Sequence, residues 1–179
     1  MAAFATTQTQ KQQSDGVAAF YSSLISNYSA TITELYGMGA RKFGVINVGQ
    51  VGCAPLVRAS QQSPATGACS DAMNALFAGF DGELRSLMAR LDERLHGATI
   101  ADPGAAGLSN VDAACCGDGR LGAQSGCWPN STVCADRRSY LFWDYGHPTQ
   151  RVAELIASAF YDGPAQFTAP VNLKQLVRP

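Results

Sequence analysis

Two residues with the spacing of a catalytic pair, Asp144 and His147, lie three positions apart just before a predicted helix. At that spacing the carboxylate can hydrogen-bond one imidazole nitrogen and leave the other nitrogen facing a cleft. The aspartate would then fix the imidazole tautomer and stabilise the imidazolium that forms once the histidine accepts a proton from a hydroxyl group. A structural alternative makes Asp144 a helix cap and His147 an ordinary residue at the helix entry. For the bare spacing, that alternative is favoured.

No hydroxyl in the sequence has the surroundings of an activated nucleophile. Ser14-Asp15-Gly16 sits at a predicted helix start, where a cap is the better interpretation. Ser125 precedes Gly126, but Ala123 occupies the position that the first glycine of a Gly-x-Ser-x-Gly elbow would need. Neither of these serines is therefore predicted to be an activated nucleophile.

The other polar candidates favour roles outside catalysis. His96 is predicted in the last turn of a helix, where the helix dipole favours a surface histidine, and Asp102 is a loop carboxylate after a short strand. Asn27 and Asn130 each begin an Asn-x-Ser/Thr sequon, and Asn130, in a predicted loop, is the better glycan site if the protein is exported.

Composition and charge indicate a globular protein and argue against several partners. The 179 residues are 46% hydrophobic and 15% charged, with a formal net charge of -1. No basic surplus is present to neutralise nucleic-acid phosphates, so nucleic acid is not an expected partner. No apolar run approaches the roughly 20 residues of a membrane span, and residues 1–13 lack the features of a secretory signal. We therefore expect no integral membrane segment and see no export signal in these residues.

Six cysteines, four of them in one glycine-rich loop, predict disulfides. Six cysteines allow 15 pairings, and the sequence does not choose among them. The favoured arrangement joins Cys53 to Cys69 and places two further bridges inside the later loop. A zinc site is the competing interpretation, which the absence of any Cys-x-x-Cys spacing disfavours.

Hydrophobic periodicity predicts alternating helices and strands. Residues 1–16 are polar and predicted to be disordered, and residues 103–143 form a long loop without sustained periodicity, held by covalent bonds. The predicted helices are 17–36, 70–96 and 148–162, with Pro148 in the first turn of the last, and the predicted strands are 43–48 and 98–101.

This order predicts part of an α/β fold with a parallel sheet. Two strands cannot cover the apolar faces of three helices, so the rest of the sheet must come from a partner or from a missing N-terminal segment. We therefore expect exposed apolar helix faces and an unpaired strand edge.

The segment Tyr140-Leu141-Phe142-Trp143-Asp144-Tyr145-Gly146-His147-Pro148-Thr149 closely resembles the last signature block of plant GDSL esterase/lipases, which belong to the SGNH hydrolase superfamily. The resemblance extends in family order from about Phe20 to Leu176. Four further blocks carry it: Leu35-Tyr36-Gly37-Met38-Gly39-Ala40-Arg41-Lys42-Phe43, Gly52-Cys53-Ala54-Pro55, Cys115-Cys116-Gly117-Asp118-Gly119 and Cys134-Ala135-Asp136-Arg137.

The resemblance implies a fold, an activity and a site. It assigns Asp144 and His147 the triad aspartate and histidine roles of a carboxylic ester hydrolase that works through an acyl-enzyme, with no metal or organic cofactor. The implied substrate is a small-molecule or lipid ester. The implied fold is part of a flavodoxin-like three-layer SGNH-hydrolase fold with a Cys-rich loop before the final helix. The cysteines look like the family's disulfide set, which implies an extracellular protein.

The departures from the family pattern are equally informative. The Gly-Asp-Ser block that carries the family's nucleophile, and its oxyanion-hole glycine and asparagine blocks, are absent from the sequence. We therefore expect residues 17–179 to be the C-terminal part of one domain whose N-terminal half is missing, and to be inactive as given. The alternative is a non-catalytic truncated paralogue or a disulfide-stapled interaction module.

Overall fold

The computed structural model describes residues 2–61, 67–91, 96–98 and 108–178. The helices within these ranges are α1 (Ala2–Gly37), α2 (Pro55–Ser60), α3 (Asp71–Arg90), α4 (Gln150–Asp162) and α5 (Leu173–Leu176). The strands are β1 (Gly44–Ile46), β2 (His96–Ala98), β3 (Asn110–Ala114), β4 (Tyr140–Phe142) and β5 (Thr168–Ala169). Short 3-10 turns occur at Val51–Cys53, Arg120–Gly122 and Arg137–Ser139.

The first helix is longer than the apolar pattern predicts. Residues 2–16 are helical where the sequence predicted a disordered tract. This tract contains three Ala and four Gln, which favour helix, and extending an existing helix requires no new nucleation. Ser14 and Asp15 therefore lie inside α1, and their predicted role as a helix-start cap is wrong. The predicted stop is confirmed at Gly37, beyond which Gly39 adopts a φ of +105°.

The core lies between α1 and α3. Ile25 and Ile32 of α1 pack in one buried cluster with four residues of α3: Phe80, Leu84, Leu87 and Met88. The aromatic side chains of α1 are not all buried, because Phe20 is 56% exposed. Tyr28 remains 39% exposed although its ring lies 6.2 Å from that of Phe80. Helix α3 therefore leaves part of the apolar surface of α1 exposed, as expected from the small number of predicted strands.

The parallel sheet is present but small. β1 pairs in parallel with β2, and β5 pairs antiparallel with the other side of β2, which gives the order β1-β2-β5. The start of α3 agrees with the prediction, because Ser70 caps it and accepts the Met73 N–H. Its predicted continuation to His96 is wrong, because His96 belongs to β2 and pairs with Gly44. Tertiary pairing overrides the helical period there. The predicted strand 98–101 is described only at Ala98, and the rest lies outside the described residues.

The Cys-rich region contains structure that the sequence did not predict. Its strand β3 pairs in parallel with β4, where the prediction had a loop without strands. Short strands of mixed composition leave little periodic signal. The disulfide arrangement is confirmed by the bridges Cys53–Cys69, Cys115–Cys134 and Cys116–Cys127. All six cysteines are thereby oxidised, so none is a thiolate ligand for zinc.

The structure is therefore a mixed α/β arrangement with two short parallel strand pairs. No helix in the described part of the chain has the length and apolarity needed to cross a bilayer.

Candidate active site

The Asp144 and His147 pair lies on a short loop between β4 and α4, closed at its base by hydrogen bonds. The Trp143 N–H donates to the His147 carbonyl at 2.8 Å. Phe142 and Pro148 form an isolated antiparallel bridge below that bond. The loop is therefore short, and these backbone contacts fix its two ends relative to each other.

The backbone amides of two consecutive disulfide-bonded cysteines hold this loop from one side. The N–H groups of Cys115 and Cys116 donate to the carbonyls of Phe142 and Trp143 at 3.0 Å and 2.7 Å. These two carbonyls come immediately before Asp144. Because each cysteine is also bridged to the segment between β3 and β4, covalent bonds fix the donors themselves.

A third backbone donor reaches the tip of the loop. The Leu56 N–H at the start of α2 donates to the Tyr145 carbonyl at 3.0 Å. The turn that leads into α2 is fixed by the Cys53 bridge and by Gly52, whose N–H donates to the Asn74 side chain at 2.8 Å. No sequence pattern indicates these positioning groups, because backbone contacts do not depend on side-chain type.

Gly52 is a position where only glycine fits without rearrangement. A Cβ there would lie well inside van der Waals contact with the Ser70 carbonyl oxygen. The close approach lets the turn before α2 pack against the start of α3, which explains the glycine in the Gly-Cys-Ala-Pro block.

The structure brings Asp144 and His147 together as predicted from their spacing. His147 Nδ1 lies 2.8 Å from Oδ1 and 2.9 Å from Oδ2 of Asp144. A carboxylate can only accept, so the proton between them belongs to Nδ1 and the imidazole donates. The opposite ring nitrogen, Nε2, is then the acceptor available to a substrate-side proton.

Asp144 is held as a carboxylate by its surroundings. Partial burial raises the pKa of this group, but hydrogen bonds from the Gly146 N–H, the His147 N–H and the His147 ring outweigh it. The pKa of Asp144 therefore lies below its ordinary value of 3.8. The two backbone donors bind Oδ1 at 3.0 Å and 2.9 Å. The aspartate is thus ionised at neutral pH and fixed in orientation before any substrate arrives.

His147 is presented to solvent. Its side chain is 71% exposed, whereas that of Asp144 is only 15% exposed. The Tyr145 ring lies beside it, with ring centroids 6.2 Å apart. Within the described residues the His147 side chain hydrogen-bonds to Asp144 and to no serine. Ser125 is engaged elsewhere, because its hydroxyl bonds the backbone N–H and the carboxylate of Asp118.

Helix α4 is capped by Thr149, not by Asp144 or Pro148. The Thr149 hydroxyl accepts the Val152 N–H and donates to the Tyr140 carbonyl at 2.8 Å. The predicted placement of Pro148 in the first helical turn is therefore wrong, because α4 begins at Gln150. A threonine just before the apolar repeat of α4 is a typical N-cap residue, which the prediction did not use. The alternative role of Asp144 as a helix cap is therefore not observed. Its carboxylate nevertheless accepts two backbone N–H groups of its own loop.

The remaining candidates lie away from this pair along the chain. His96 is in β2, and Asp102 lies outside the described residues. Asn27 is on α1, and Asn130 is exposed in a turn of the Cys-rich region.

Comparison with known proteins identifies the family to which this sequence belongs. The profile described as GDSL-like Lipase/Acylhydrolase matches residues 5–160. The chain is 40% identical over 174 residues to the GDSL esterase/lipase At1g33811 of Arabidopsis thaliana, covering 88% of this chain and 46% of that protein. It is 36% identical over 170 residues to the Arabidopsis thaliana GDSL esterase/lipase At1g71250, covering 88% and 45% respectively.

The chain thus spans about half the length of the curated relatives it matches. The match nevertheless covers most of this sequence, up to residue 160, including all three cysteine-containing blocks and the loop of Asp144 and His147. The chain belongs to the GDSL-like lipase/acylhydrolase family, whose members are hydrolases acting on ester bonds.

Proposed function

We propose that this chain contributes the general base and its orienting carboxylate to a serine esterase. In this mechanism His147 Nε2 accepts the proton of a serine hydroxyl as its oxygen attacks the acyl carbon of an ester. The imidazolium then returns that proton to the departing alcohol. Water, activated by the same histidine, hydrolyses the acyl-enzyme.

The observation that carries this proposal is the double approach of His147 Nδ1 to both oxygens of Asp144. An ionised carboxylate in that position fixes the tautomer that leaves Nε2 free to accept, and it stabilises the positive charge that forms. The low pKa of Asp144 supports the role, because the carboxylate stays ionised throughout the neutral range.

We propose that the nucleophile and the oxyanion-hole donors come from outside these 179 residues. The sequence lacks a Gly-Asp-Ser block, and the relatives are about twice as long as the matched region. A general base alone supplies little of the rate enhancement of such enzymes, because electrostatic stabilisation of the oxyanion is a large part of it. These residues by themselves should therefore not hydrolyse esters.

The same reasoning extends to fold and location. We propose that α1, α3 and the β1-β2 pair form one part of a flavodoxin-like three-layer fold. The support is that β1 lies at the edge of its sheet and that Ile46 is 52% exposed, as expected where a further strand would pair. The plant relatives and the three disulfides are consistent with an extracellular protein acting on a small-molecule or lipid ester.

A chimera tests the catalytic role. The part of the At1g33811 protein that precedes its match would be joined to this chain, and hydrolysis of a short-chain nitrophenyl ester would be measured. We expect turnover that His147→Ala abolishes. The sequence contains one other histidine, so His96→Ala is the matched control and should retain most of the activity. A folded, active chimera that His147→Ala leaves unchanged would refute the role.

The non-catalytic alternative has one observation in its favour. Large apolar side chains are exposed on α1 and β1 and just after α1, as expected of a module that binds another protein: Phe20, Leu35, Tyr36, Met38 and Ile46. This alternative predicts that a folded chimera stays inactive, so the same experiment separates the two functions.

A further inference from the structure

A tight turn at the surface of the Cys-rich region presents an asparagine between fixed neighbours. The Ser131 N–H donates to the Trp128 carbonyl at 3.0 Å, which closes a turn with Pro129 and Asn130 at its centre. The Ser131 hydroxyl accepts the Trp128 N–H at 2.9 Å and donates to the Gly126 carbonyl at 3.1 Å. The turn is therefore held by three hydrogen bonds within six residues.

Asn130 is the first residue of an Asn-Ser-Thr sequon and is exposed at the tip of this turn. Its side-chain amide makes no hydrogen bond to any residue that the structure describes. The following Thr132 is anchored, since its N–H donates to Asp118 Oδ1 at 3.1 Å. The asparagine amide is thus accessible on a backbone that is fixed on both sides.

Trp128 lies two residues before the asparagine and is 68% exposed, although tryptophan is among the residues that gain most from burial. Its indole rests against Gly126, where an added Cβ would approach the ring to 3.0 Å. A large exposed aromatic side chain therefore lies in the same turn as Asn130, two residues before it in the sequence. The apolar C–H face of a pyranose ring is a chemically suitable cover for such a surface.

We propose that Asn130 is N-glycosylated and that the first sugar packs against Trp128. The side-chain nitrogen of Asn130 would form a bond to the anomeric carbon of a sugar on a lipid-linked diphosphate donor. The bond from that carbon to the diphosphate oxygen breaks, the diphosphate leaves with the bonding electrons, and the amide releases one proton. This chemistry belongs to the oxidising secretory compartment, with which the three disulfides are consistent.

The second sequon, at Asn27, is a contrasting case. Asn27 and Ser29 lie within α1, and helix residues two apart do not face each other. A transferase that needs the asparagine amide and the hydroxyl two positions on cannot engage both side chains from one direction. The proposal therefore assigns modification to Asn130 and not to Asn27.

The test is expression of the full chain behind a cleavable secretory leader in eukaryotic cells. Mass spectrometry before and after treatment with a peptide N-glycosidase should show one glycan per chain and conversion of Asn130 to aspartate. Asn130→Gln should remove the glycan, and Asn27→Gln should retain it. Secreted wild-type protein that is unmodified at Asn130 would overturn the site, and peptide mapping of the wild type keeps this readout independent of how the variants fold.

A second measurement tests the packing against Trp128. We expect the glycan to raise the urea midpoint of the wild-type chain, measured before and after glycosidase treatment. In Trp128→Ala the same treatment should cause a smaller change, with Asn130 still occupied. An equal change in both proteins would overturn the packing.

Discussion

The Nδ1 atom of His147 lies within 2.9 Å of both carboxylate oxygens of Asp144. This contact orients the imidazole even though the histidine side chain is mostly exposed. The rigidity comes from beneath the loop, where the Cys115 and Cys116 amides hold the carbonyls of Phe142 and Trp143. The bridges of Cys115 and Cys116 therefore help to fix the loop that carries Asp144 and His147.

Replacing Asp144 by asparagine should impair catalysis in the chimera without removing the side chain's volume. An amide can accept the Nδ1 proton with only one oxygen and can present its NH₂ instead, so the imidazole loses its fixed tautomer. We expect kcat for a nitrophenyl ester to fall about 10⁴-fold, the scale of the same change in serine proteases. A loss of less than about tenfold would show that Asp144 does not orient the base.

Acid should remove a part of the stability that depends on Asp144. Its pKa is lower in the folded chain than the ordinary 3.8, so the folded state favours the carboxylate. The resulting stabilisation is fully present above the unfolded-state pKa of about 3.9 and is lost as the pH falls through the folded value.

Urea unfolding of wild type and Asp144→Asn should therefore differ clearly at about pH 5, where the carboxylate is ionised, and the difference should shrink as the pH falls below about 4. Asp15→Asn, at an exposed position on α1, is the control. A difference that grows as the pH falls from about 5 to about 3 would contradict the assignment.

Thr149 should be important for stability, because it is buried and joins two elements. Its hydroxyl caps α4 and donates to the Tyr140 carbonyl of β4. Thr149→Val keeps the shape but leaves both partners unsatisfied, and we expect a loss of about 1–2 kcal/mol in the free energy of unfolding. Thr149→Ser should lose less, because it keeps the hydroxyl. Equal losses in a urea titration would mean that the methyl group, and not the hydroxyl, matters.

Removing the Cys116–Cys127 bridge should loosen the loop that carries His147. The double change Cys116→Ser and Cys127→Ser frees the segment whose Cys116 N–H holds the Trp143 carbonyl. We expect about 2–4 kcal/mol of lost stability and faster hydrogen exchange at the Trp143 amide, which closes the loop onto His147.

The matched control removes Cys53 and Cys69 instead, since that bridge supports α2 and not the base of the loop. If both variants changed exchange at Trp143 equally, the proposed link between the Cys116 bridge and the loop would not hold.

Sequence patterns predicted the features that depend on local periodicity or on side-chain identity. The apolar repeat located α1 and α3, and the Asp-x-x-His spacing located the pair that the structure brings into contact. The favoured disulfide arrangement also proved correct, because four cysteines lie close together in one region and two in another.

Several of the mispredicted features depend on contacts distant in sequence. The residues around His96 continue a helical period, yet they form β2 because β1 offers a partner there. The pairs β3-β4 and β2-β5 involve strands of two to five residues, too short to show a period. The amides of Cys115, Cys116 and Leu56 act through the backbone, so no residue type reveals them.

The most direct test of the central claim is ester hydrolysis by residues 1–179 alone. We propose that His147 is the base for a nucleophilic serine that these residues do not contain. The purified, folded chain should therefore show no His147-dependent turnover of a short-chain nitrophenyl ester. Wild type and His147→Ala should give the same background rate. Turnover by the wild-type chain that His147→Ala abolishes would contradict the claim, because it would require a nucleophile within these residues.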